Sequence, residues 1–150
     1  MPSETGGRHW FHLIPSPSDQ ARLQYAARLT EKAWREGDRV CLFCGSDDQA
    51  QQADDVLWSF RPDSFLPHAL EADAGPGERV VISCHQPAAS EWDTVIVLGD
   101  QLPADADRFK RLALIANDDP QTLSRARSHF RQLREMGIEP QVHDRRRGTG

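Results

Sequence analysis

Two cysteines three residues apart, Cys41 and Cys44, have the spacing of a metal clip or a redox pair in this 150-residue chain. With Cys84 and His85 they offer the donor types of a structural zinc site. The run RVCLFC (39–44) reads as a strand, however, and side chains alternate across a strand. Residues three apart then face opposite sides of a sheet, so the two thiols neither chelate one ion nor pair. Buried, reduced cysteines are the better reading, and no metal site and no cofactor are expected. Six histidines could do acid–base work, and His68 is the best placed, beside an aromatic segment. No serine or cysteine sits on a nucleophile elbow and no spaced carboxylate pair stands out, so no catalytic residue is expected. A phosphate cradle is missing too. The turn after the first strand is PSPSD, without glycine, and the turn after the second is GSDDQ, with one glycine and two acids. Neither matches a dinucleotide or P-loop fingerprint, and the acids would repel phosphate.

Two other groupings carry recognition chemistry. The segment LWSFRPDSFLPH (57–68) holds Trp58, Phe60 and Phe65 around Arg61 and is broken by Pro62 and Pro67. Loops run over the surface, so this much aromatic area must plug a core or offer a docking face. At least one ring is expected in the core and at least one exposed. The second grouping lies between Asp119 and Gly137. Leu123, Ala126, Phe130 and Leu133 make an apolar helical stripe, and Arg127, Arg131 and Arg134 make a guanidinium row beside it. Only Glu135 opposes the arginines there. Such a helix could hold an acidic segment while an aromatic ring accepts its apolar side chains. The plainer alternative is a core phenylalanine flanked by solvated arginines.

Composition sets the frame for both. The net charge of -5 argues against broad binding to a nucleic-acid backbone. Acids crowd 47–55 and 71–107 while arginines crowd 125–147, which suits one defined anionic partner. Three cysteines in apolar runs suggest a reducing, cytoplasmic setting. Met1 to Gly7 offers no apolar h-region, so no signal peptide is expected, and no run approaches the roughly 20 apolar residues of a membrane span.

The elements follow from pattern. Strands are expected at 9–14, 39–44, 79–84, 94–98, 112–116 and 139–143. Helices are expected at 19–36, from Ser46 through Leu57, and from Pro120 to Met136. Ser18, Ser46 with Gln49, and Asp119 cap them, and Gly37 and Gly137 stop the first and last. Alternating strands and helices imply one three-layer α/β sandwich over residues 1–150, with a mostly parallel sheet and helices on both faces. Short connections after Cys84 and near Pro103 leave room for an antiparallel strand. The ends, 1–7 and 145–150, are expected to be mobile.

The run ADDVLWSFRPDSFLPH (53–68) resembles the hallmark segment of the chi subunit of bacterial DNA polymerase III. WFHLI resembles that family's first strand, EKAWREGDRVCLFC its first helix end and second strand, and ARSHFRQLREMG its last helix. The resemblance implies a Rossmann-like sandwich without a nucleotide and a non-catalytic accessory protein of the clamp-loader assembly. The implied partners are the psi subunit and the acidic C-terminal tail of the single-stranded-DNA-binding protein, with a repair helicase competing for the psi surface. Little direct DNA binding and no membrane contact are implied. By position, Trp58 and Phe65 fall on residues tied to psi, within a surface taken to include Phe60, Pro67 and His68. Arg127 and Phe130 fall in the tail pocket, with Arg131 and Arg134 beside them. Leu123 stands where the family has a lysine, and Arg125 or Arg131 is the candidate to supply that charge. The C-terminal QVHDRRRGTG also lacks the aromatic that often ends the family. The competing readings are a small α/β enzyme acting on a nucleotide or phosphate ester, and an adaptor used mainly by a repair helicase.

Overall fold

The computed structural model describes residues 9–16, 18–60, 66–75 and 77–145. Strand and helix alternate: β1 (His9–Leu13), α1 (Asp19–Arg35), β2 (Val40–Phe43), α2 (Asp47–Ser59), β3 (Ala69–Leu70), β4 (Val80–Ser83), β5 (Thr94–Val97), β6 (Arg111–Ala116), α3 (Pro120–Glu135) and β7 (Gln141–Asp144). The seven strands form one open sheet in the order β3-β4-β2-β5-β6-β1-β7. Every pairing is parallel. The room left for an antiparallel strand is therefore not used. The connection before β6 instead lays a short 3₁₀ turn on the sheet, burying Ala106 and Phe109. The four central strands β4, β2, β5 and β6 are apolar and buried on both faces, as a sheet covered by helices on both sides requires.

Each helix begins where a side chain accepts from an otherwise unpaired N–H. Ser18 Oγ accepts from Ala21 N (3.2 Å), Ser46 Oγ from Gln49 N (3.1 Å) and Asp119 Oδ2 from Thr122 N (3.0 Å). Pro120 opens α3. Gly37 and Gly137, at φ +96° and +87°, end α1 and α3 in the left-handed region that side chains disfavour.

Two apolar layers result. Leu23, Ala26, Ala53, Leu57, Leu42, Cys44, Ile82 and Ile96 pack where α1 and α2 meet the sheet. Phe11, Cys41, Phe43, Val95, Leu112, Leu114 and Leu133 pack on the opposite face with α3. Cys41 and Cys44 thus lie in different layers, as the strand period predicts. Burial first, then neighbouring groups, pushes the Cys44 thiol up to about 12 and Cys41 higher still, so both are inert thiols.

Burial also makes β1 a source of pH dependence. His12 is buried, its Nδ1 2.8 Å from the Tyr25 hydroxyl. Burial, then the charges of His143, Lys32 and Arg145, lowers its pKa from 6.5 to about 4. Above 6.5 the ring is neutral in both folded and unfolded chains. Between 6.5 and about 4 the unfolded chain takes a proton that the folded chain refuses, so stability is lost as pH falls through that window. His129 is shifted the same way, again mainly by burial. Urea denaturation is expected to show stability falling by roughly 1–3 kcal/mol between about pH 6.5 and about pH 4. The His12→Phe variant should show a shallower dependence; an unchanged slope would refute the assignment to His12.

Candidate partner-binding surfaces

In parallel α/β sheets, ligands usually sit beyond the strand C-termini. Here the chain's own atoms fill that end. A Cβ at Gly99 would lie 2.6 Å from Gly45 N and 2.7 Å from Gly45 Cα, so the turns after β2 and β5 touch backbone to backbone. Gln49 spans them: its Oε1 accepts from Gly45 N (2.8 Å) and its Nε2 donates to Leu98 O (3.1 Å). The amide that could greet a phosphate is thereby taken. Arg22, only 3% exposed, donates to Leu98 O (2.9 Å) and Ile115 O (3.1 Å). Neither Arg22 nor Gln49 was recognised in this role from the sequence. Arg22 had a signal, as a charged residue four positions before Ala26 on the buried stripe of α1. Gln49 was read as half of a capping box; Ser46 supplies its half, but the glutamine side chain turns to Gly45 and Leu98.

The helix α3 sets the first surface. Its stripe of Ala126 and Leu133 is buried, and Phe130 is half-buried with its ring 5.3 Å from Phe11 at 59°. Arg127, Arg131 and Arg134 are exposed and, with Phe130 and Glu135, line an open depression. Arg134 pairs loosely with Glu139 at 3.5 Å, both well exposed, an ion pair of little worth. Among the described residues Arg127 and Arg131 have no ion-pair partner. The depression is therefore a cationic, aromatic-floored seat. Arg125 is not brought to it. Its guanidinium pairs with Asp100 beyond β5, next to His129, whose Nε2 lies 2.7 Å from Asp100 O. Residues two apart on a helix point to opposite sides, which separates Arg125 from Arg127. Arg131 lines the depression and Arg125 does not.

The second surface centres on the end of α2. Trp58 is 57% exposed and packs against His68, ring centroids 4.6 Å apart with the planes tilted at 53°. His68 itself is buried. Its Nδ1 lies 2.7 Å from Leu66 O, so that nitrogen donates, and Nε2 lies 3.2 Å from Asp54 Oδ1 without hydrogen-bond alignment. The expectation that His68 is a contact residue is corrected: it supports Trp58 from beneath. Phe60 is also displaced from the expected surface, half-buried against the α1–α2 layer. Pro67 is exposed beside them. Phe65 and Arg61 lie outside the described residues.

Among the described residues no group of three or more His, Cys, Asp or Glu is arranged to hold a metal, and no helix is long and apolar enough to cross a membrane. Fold and geometry define a class: an all-parallel α/β domain whose sheet C-terminal crevice is narrowed by its own turns and whose α3 face and α2 end carry exposed cationic and aromatic groups. The sequence identifies it further. Residues 7–141 match the sequence model of the family described as "DNA polymerase III chi subunit, HolC", and the chain belongs to that family. A relative from Pseudomonas aeruginosa, named DNA polymerase III subunit chi, is 38% identical over 133 residues, covering 89% of this chain and 93% of the relative. Relatives of the same name from Haemophilus influenzae and Escherichia coli are 28% identical over 129 residues and 29% over 118. They cover 85% and 77% of this chain and 90% and 80% of their own lengths.

Proposed function

We propose that this chain is a non-catalytic accessory subunit of the DNA polymerase III assembly. It joins the clamp-loader complex, through the psi subunit, to the C-terminal tail of the single-stranded-DNA-binding protein. Family membership supports the polymerase III setting. The observation that carries the tail reading is the row of Arg127, Arg131 and Arg134 beside the half-buried Phe130. An acidic tail with an apolar end would lay its carboxylates on the guanidinium row and its last side chain on the ring. The exposed Trp58, propped by His68, supports a separate psi surface that a repair helicase would share.

Fluorescence anisotropy of a labelled acidic peptide ending in phenylalanine tests the tail reading. Arg127→Ala is expected to weaken binding by about 1.5–3 kcal/mol, roughly tenfold to a hundredfold or more, and salt to weaken it further. No binding by a folded wild type would overturn the reading. The enzyme alternative needs a concave site at the strand C-termini, and the Gly45–Gly99 contact with Arg22 and Gln49 leaves little room there. A thermal shift with nucleotides would revive it.

A further inference from the structure

On the sheet face opposite α3 lies a third concentration of chemistry, unused by either surface. Trp10 and His12 follow each other on one side of β1, rings stacked 5.9 Å apart at 22°. His143 on β7 stands in register with His12, its ring 5.7 Å from His12 and 6.4 Å, edge-on, from Trp10. Tyr25 of α1 backs His12, 5.1 Å away. The helix α1 packs over β2, β5 and β6, and all four residues of β7 are exposed, so this margin of the face is open. A cleft runs between α1 and the sheet, with Ile96 and Ala113 on its sheet side and Leu29 on its helix side. Lys32 and Arg111 stand at its rim, and the Arg145 guanidinium lies 6.0 Å over the Tyr25 ring. Glu36 answers Arg111 at 3.0 Å, while Lys32 has no ion-pair partner among the described residues. Burial and these surrounding cations keep His12 neutral near pH 7.

We propose that this cleft binds single-stranded nucleic acid, stacking a base on the Trp10–His143 wall and seating the flanking phosphates on Lys32, Arg111 and Arg145. Aromatic side chains on neighbouring strands of an open sheet face are a recurrent platform for unstacked bases. Stacking tolerates any base, and the cations track the backbone. The same cations would meet an acidic peptide, but the rings of Trp10, His12 and His143 lining the cleft favour a flat π partner over an aliphatic one. The acidic body keeps the affinity low, and three cations set a salt dependence of log K on log salt no steeper than about -2 for a single strand. The cleft and the α3 depression lie on opposite faces of the sheet, so occupancy of one leaves the other free.

The test is anisotropy of fluorescein-labelled oligothymidylate, about twenty nucleotides long, titrated with the full chain at low and moderate salt. Saturable binding with that shallow slope is expected. Trp10→Ala and Lys32→Glu should each weaken it about tenfold or more, Trp10→Tyr should retain most of it, and Arg127→Ala should leave it unchanged. Lys32 is exposed on α1, so its variant reports on the cleft even if Trp10→Ala disturbs folding. No binding at low salt overturns the proposal. So does binding that falls with Arg127→Ala but not with Lys32→Glu, or an acidic Phe-ended peptide occupying the cleft while the oligonucleotide does not.

Discussion

Replacing Arg22 by leucine is expected to destabilise the fold by roughly 2–4 kcal/mol, a large share of the total for a domain of this size. The guanidinium is buried and holds two carbonyls, Leu98 O and Ile115 O, at the ends of β5 and β6. Leucine fills part of the space but donates nothing. Leu98 O keeps a partner in Gln49 Nε2 at 3.1 Å. Ile115 O loses the guanidinium that donates to it, and a buried carbonyl left unsatisfied costs about 1–3 kcal/mol. Lost packing of the arginine stem adds to it. The ion pair with Asp19, 64% exposed on the acid's side, adds little. Urea denaturation should show a lower midpoint at unchanged slope. A loss under about 1 kcal/mol would mean that water replaces the guanidinium, and that the crevice is less completely filled than its geometry indicates. Gln49→Ala should cost less, because its amide bridges more exposed groups.

The second large effect is on binding. Trp58→Ala is expected to weaken psi association by about 2–4 kcal/mol, thirtyfold to a thousandfold, while changing stability by less than about 1 kcal/mol. The ring is mostly exposed, so little core area is lost on truncation. It is also held: His68 packs against it, fixed by the Nδ1 hydrogen bond to Leu66 O. A side chain fixed before binding loses less entropy on docking. His68→Ala should therefore weaken psi binding indirectly, by freeing Trp58, and should also cost stability, since its ring is buried. Calorimetric titration of psi into both variants and into Arg127→Ala separates the two surfaces. Equal damage to psi and tail binding by Trp58→Ala and Arg127→Ala would sink the two-surface reading.

Local signals decided much of this molecule. Apolar runs of four to six residues bounded by polar turns fixed β2, β4, β5 and β6, and caps at Ser18, Ser46 and Asp119 fixed the helix starts. Period two placed Cys41 and Cys44 in opposite layers. The helical period grouped Arg127, Phe130, Arg131 and Arg134, but Arg125 is expected with them from the sequence, and only the structure turns it to Asp100. The two-residue β3 was not legible, because Ala69-Leu70 has no alternation to read and forms a strand only by lying beside β4.

By itself, then, the sequence determined the alternating α/β class, the family, and which residues carry cationic and aromatic chemistry, because these depend on local periodicity and residue type. Only the tertiary structure decided how those residues are shared out. Strand order rests on crossovers that leave no local trace. The closing of the crevice needs Arg22, Gly45 and the Leu98–Gly99 turn to meet from three distant segments. The burial of His68 under Trp58 follows a proline-broken stretch with no period at all. The third cleft exists because β1 and β7, at opposite ends of the chain, lie in register at one edge of the sheet.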